Sequence, residues 1–80
     1  MIILLRKPQV LARLAIKKST LHNRIQDGLF PKPISIGARA VAWPSNEVEA
    51  IIQAQIAEYS IEEIHVLVKE LITKRKEEDK

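Results

Sequence analysis

Behind Pro8, apolar positions Val10, Leu11 and Leu14 fall at i, i+1 and i+4 on one face of a helix. Proline's missing N–H costs nothing in a helix's first turn, so the pattern predicts a first helix over Lys7–Leu14. Ala15, Ile16 and Lys17 make a tight connection, with Ile16 placed to plug the gap between two helices. Leu21 and Ile25 are the apolar stripe of a second helix that begins near Lys18 and reaches Gln26, while Lys18, Ser19, His22, Asn23 and Arg24 lie on its other faces. Gly28 stands just past the last periodic residue, where the left-handed conformation that closes helices is needed. Helix, three-residue turn, helix is a helix-turn-helix.

The period then changes. Pro31 and Pro33 bias their predecessors toward extended backbone, so residues 29–33 cannot be helical. Ile34 and Ile36 share one face of an extended run and Val41 and Trp43 one face of the next, which predicts a short hairpin turning at Gly37-Ala38-Arg39 with Arg39 at its tip. Pro44 ends the second strand, and Ser45 or Asn46 caps a third helix, Asn46 and Glu49 having capping-box spacing. Val48, Ile51, Ile52, Ile56 and Tyr59 are its expected buried side, and Trp43 and Tyr59 are expected in the core. Ser60 and Glu63 repeat the capping-box spacing, predicting a fourth helix with Ile61, Ile64, Leu67, Val68, Leu71 and Ile72 on one stripe, fraying over residues 74–80. A single helix over 46–75 is the rival reading, because no glycine or proline interrupts it. Residues 1–5 are a short strand or a lead-in that plugs the core.

Eighty residues with 46% hydrophobic and 29% charged side chains fit one folded domain, too small for a deep catalytic cleft. Within it, residues 1–59 are expected to be the functional unit and 60–80 a helical extension that packs on the core or self-associates. The chain has no cysteine, so disulfides and thiolate metal sites are excluded, consistent with a reducing cytoplasm. The apolar residues 1–5 are too few to span a membrane, and no membrane association is expected. The charge is unevenly placed. Between Met1 and Pro44 eight basic residues stand against the single acid Asp27, a net +7, whereas nine acids and five bases leave Ser45 to Lys80 at −4. Positive potential concentrated on one part of a small molecule is the footprint of a polyanion binder.

An enzyme needs a nucleophile, acid and base within mutual reach, or a metal, and two histidines without cysteine supply little of this. Glu62 and His65 have a metal-site spacing, but a carboxylate-bridged site takes further acids from other helices, so they read as a solvated pair. Two glycines are too few for a phosphate-cradling loop. No catalytic activity, cofactor or small-molecule ligand is therefore expected.

Duplex DNA asks for a helix that fits the major groove, polar side chains on its exposed face and flanking cations. The second helix meets this. Lys17, Lys18 and Ser19 stand at its start, where phosphate contacts belong; His22, Asn23 and Arg24 can reach base edges, and Thr20 can do either or cap. Lys32 adds a cation before the hairpin, and Arg39 at its tip suits a phosphate or the minor groove.

Residues 5–10 (LRKPQV), 18–22 (KSTLH), 27–33 (DGLFPKP), 37–43 (GARAVAW) and 47–50 (EVEA) occur in the order and spacing of the AlpA family of prophage regulators, which this chain resembles from about Leu4 to Ala57. The resemblance implies a mainly α fold with a small β-hairpin, a MerR- or excisionase-like winged helix-turn-helix, followed here by a C-terminal helix. It implies a small prophage DNA-binding regulator of transcription, including that of integrase or excision genes, with Lys18 to Gln26 as recognition helix and Arg39 at the wing tip. His22 and Asn23 stand where the family commonly has tyrosine and arginine, so base preference does not transfer. Pairing of half-sites makes a homodimer or cooperative oligomer an expected partner state. The alternatives are an excisionase-like protein that bends attachment-site DNA, and a protein–protein adaptor acting through the C-terminal helix.

Overall fold

A computed structural model describes residues 1–77 of the chain. Its elements are β1 (Leu4–Leu5), α1 (Lys7–Leu14), α2 (Lys18–Gln26), β2 (Ile34–Gly37), β3 (Ala40–Pro44), α3 (Ser45–Ile56) and α4 (Ile61–Glu77). Each boundary has a local cause. Pro8 occupies the first turn of α1, and the Arg6 N–H donates to Gln9 Oε1 at 2.8 Å. Ala15, left-handed at φ 55°, ends that helix. Gly28, at φ 76°, ends α2: its own N–H donates to the Ile25 carbonyl and the next N–H, of Leu29, to the Arg24 carbonyl at 2.8 Å, the paired bonds of a Schellman closure.

Three antiparallel strands lie in the order β1-β3-β2. Leu5 pairs with Trp43, Ile34 with Ala42 and Ser35 with Val41, and a bulge between Ser35 and Gly37 bends the hairpin before its turn. The residues 1–5 thus supply a strand, and Leu5 from it is fully buried. Trp43 sits at the centre of the core against Phe30, and its indole N–H donates to the Pro31 carbonyl at 2.9 Å, which fixes the proline-rich connection to the sheet. Leu21 from α2, Val10 and Leu14 from α1, Val48 and Ile51 from α3 and Val68 from α4 complete this core, with Ile16 packed against it in the turn.

Two helices form where one was the rival reading. α3 stops at Ile56, and Glu58 takes φ 55° in a second Schellman closure in which the Tyr59 N–H donates to the Ala54 carbonyl at 3.0 Å. α4 opens on the expected capping box: Glu63 N–H donates to Ser60 Oγ, and Ser60 N–H to Glu63 Oε1 at 2.8 Å. Other expectations are corrected. The Asn46–Glu49 box does not form, because α3 begins two residues earlier, at Ser45 with Pro44 as its N-cap, and Ser45 bonds β1 instead, exchanging contacts with the main chain of Ile3. Ile56, Tyr59 and Ile61 are 70%, 44% and 60% exposed rather than buried: Ile56 falls on the side of α3 away from the face that Ile51 and Ala54 bury, and the left-handed turn at Glu58 carries Tyr59 and Ile61 off that stripe. α4 does not fray at Lys74; it stays helical to Glu77, and the rest of the expected fraying, over 78–80, lies outside the described residues.

Candidate nucleic-acid interface

Leu21, 1% exposed, pins α2 to the core, with Ile25 one turn on against the same surface. That anchoring decides what the rest of the helix shows. Lys17, Lys18, Ser19, His22 and Asn23 are exposed, and Thr20 and Arg24, at the margins of the buried stripe, are half-buried. No acid occupies the first turn of α2, leaving its free N–H groups and Lys17 and Lys18 as an uninterrupted positive end.

The hairpin of β2 and β3 stands beside this helix. A groove of about 550 Å³ runs between them, lined by Lys18, Ser19 and His22 on one side and by Pro33, Val41 and Trp43 on the other. Its floor is apolar, from Leu21 and Ile25, and Lys7 at the start of α1 adds a cation to the rim. Arg39 is exposed in the hairpin turn at φ 61°, and Lys32 is exposed on the connection leading into β2. Of the nine residues singled out in the sequence, the groove gathers Lys18, Ser19 and His22. Thr20, Asn23 and Arg24 on α2, Lys17 at its N-cap, and Lys32 and Arg39 do not line it.

Sequence reasoning missed three residues. Lys7 was hidden because it shares the face of Val10, Leu11 and Leu14 at the first position of the helix, where a lysine reads as the rim of the buried stripe. His65, read as half of a solvated pair with Glu62, is half-buried, and its Nε2 lies 2.9 Å from the Asp27 carbonyl at the C-terminal end of α2. Arg75, assigned to a fraying tail, reaches the 2%-exposed Glu47 in the first turn of α3 through Nε at 2.7 Å and through Nη2, which also donates to the Lys32 carbonyl at 2.8 Å. Its signal was present: Arg75 follows Val68 by seven residues, two turns along the same face. Through these two side chains α4 grips the end of α2 and the base of the hairpin. Among the described residues no three His, Asp or Glu side chains gather as a metal ion requires, and no helix is long and apolar enough to cross a membrane.

Two short helices at a three-residue turn, followed by a two-stranded wing on a shared core, are a winged helix-turn-helix. The chain belongs to the AlpA family: the family described as Prophage CP4-57 regulatory protein (AlpA) matches residues 3–56, from before β1 to the end of α3. Over 53 residues, 66% of this chain, it is 38% identical to the Uncharacterized protein ORF88 of Enterobacteria phage P4. The match spans 60% of that relative's length. No solved structure matches the chain. α4 lies beyond the residues that the family match covers.

Proposed function

We propose that this prophage regulatory protein works by binding specific duplex DNA, with α2 entering the major groove and the β2–β3 hairpin resting on the adjacent backbone or minor groove. The observation that carries this is the exposed face of α2, cationic at its start and polar along its length, lying beside the hairpin across one groove. In this reading Lys7, Lys17, Lys18 and Ser19 meet phosphates, His22, Asn23 and Arg24 meet base edges, and Thr20 meets either. Lys32 and Arg39 hold the flanking strand. Residues 1–59 form the DNA-binding unit, and α4 braces it. The action is transcriptional and cytoplasmic, and it needs no catalysis. The adaptor reading loses support because the apolar side of α4, through Ile64, Leu67, Val68, Leu71 and Ile72, is spent on its own core.

The test is binding to a duplex recovered by selection from random oligonucleotides, followed by fluorescence anisotropy across a salt series. About four to six phosphate contacts per protomer give a slope of log affinity on log salt of roughly −4 to −5. Salt-independent affinity, or equal binding by the Lys18→Glu, Arg24→Ala double variant, contradicts the reading.

A further inference from the structure

Most of the large apolar side chains left in solvent fall into two patches. Met1, Ile2, Ile3 and Leu4 form the first, at the edge of the sheet; Ile56, Tyr59, Ile61 and Val66 form the second, at the corner between α3 and α4. Ile36, on the hairpin, belongs to neither.

The edge patch has open main chain as well as apolar side chains. Ile3 faces Ser45 through its carbonyl, and Leu4 sits opposite Pro44, which has no N–H to offer. Main-chain groups alternate in direction along an antiparallel strand, so those of Leu4 point away from β3. An apolar strand edge of this kind is a template for another chain. Its border is basic among the described residues: Ile2 and Leu4 share a groove of about 400 Å³ with Lys74 and Lys76, while the one carboxylate these residues place there, on Glu47, is taken by Arg75.

The corner patch carries the opposite sign. Tyr59 and Val66 share a groove with Glu63 and Glu70, and Glu58 and Glu62 adjoin it in the chain, while Lys69 and Lys74 line a separate groove on the other side of Val66. From Ala40 to Val68 the sequence contains five glutamates and no lysine or arginine. The nearest imidazole, that of His65, is turned to the Asp27 carbonyl.

We propose that these patches are the two halves of one contact between copies of this chain, the acidic corner of one protomer seating on the basic edge of the next. The halves differ, so the contact is heterologous: it runs head to tail and leaves a free patch at each end of the assembly. A single contact built on so few apolar side chains is weak, and it strengthens when copies are held side by side by a common scaffold, where the effective concentration is high. The contact needs no nucleic acid, so it stands or falls independently of DNA binding.

The experiment is sedimentation equilibrium of the full chain without DNA, from micromolar to millimolar concentration. The expected result is an average mass that climbs past two chains. Lys76→Glu or Glu62→Lys, each folded by circular dichroism, should hold the mass at one chain. Mixed in equal amounts they should form a dimer and stop there, because each variant keeps one intact patch that fits the other's. Leu4→Gln and Val66→Gln each weaken the apolar part of one patch and give the same pattern if a charge reversal unfolds the chain. A wild-type chain that stays monomeric, a mass that saturates at a closed dimer, or variants that associate like wild type would each overturn the proposal.

Discussion

Glu58 closes α3 at φ 55°, where an L side chain crowds the following carbonyl. Glycine carries no such crowding, although it has more freedom to lose on folding. Glu58→Gly is therefore expected to stabilise the chain by about 0.5–1 kcal/mol in urea denaturation. Gly28→Ala should do the reverse. An added Cβ there meets His65 only at 3.6 Å, ordinary contact, so the loss of about 1 kcal/mol comes from the backbone at φ 76°. Arg75→Ala has the largest expected effect of the three, about 3–5 kcal/mol, because it strands the Glu47 carboxylate in a nearly dry site. Arg75→Lys should recover part of this, since lysine restores the charge without the two-pronged contact. These roles differed in legibility. Gly28 announced itself through composition, whereas Glu58 has no chemical reason to adopt a left-handed conformation and took it because the chain had to turn there.

Among the elements, α1, α2 and the hairpin were legible because local rules and the tertiary structure agree: a proline at a helix start, a glycine at a helix end, a change of apolar period from helical to alternating. Capping boxes gave a mixed account. Ser60 and Glu63 make theirs in open solvent, where nothing competes, but the helix that Asn46 was to cap starts two residues earlier, at Ser45, which is engaged by β1. Local spacing proposes a cap, and a neighbouring strand can take its place. The same limit applies to Tyr59, whose apolar character extended a stripe that the backbone had already left. α4 was legible as a helix but not as a brace, since its partners in α2, α3 and the proline-rich connection are 28 to 43 residues away in the chain. Truncation after Tyr59 removes Val68 from the core and the partner of Glu47 together. The shortened chain should lose at least about 3 kcal/mol and melt well below the full chain by circular dichroism. Equal melting temperatures would show that α4 is dispensable to the fold.

At the scale of the molecule, the charge split along the sequence becomes a division of labour between its two halves. The +7 front half supplies the helix, the turn and the wing, and the −4 rear half supplies the support behind them. That asymmetry, readable from the order of charges along the sequence, marks the front half as the one proposed to meet a polyanion; the groove between α2 and the hairpin depends on which side chains fold together and could be seen only in three dimensions. It also bears on rate. A one-sided positive field steers association, so the on-rate for duplex should fall with added salt more steeply than the off-rate rises, in stopped-flow measurements. The most direct measurement is a titration of the isotope-labelled chain with its selected duplex, followed amide by amide in NMR spectra. Shifts should concentrate at residues 7, 17–24, 32 and 39, with the outer face of α4 unmoved. A duplex that perturbs α4 while leaving α2 and the hairpin unchanged would place the nucleic acid on the wrong side of the molecule and contradict the account.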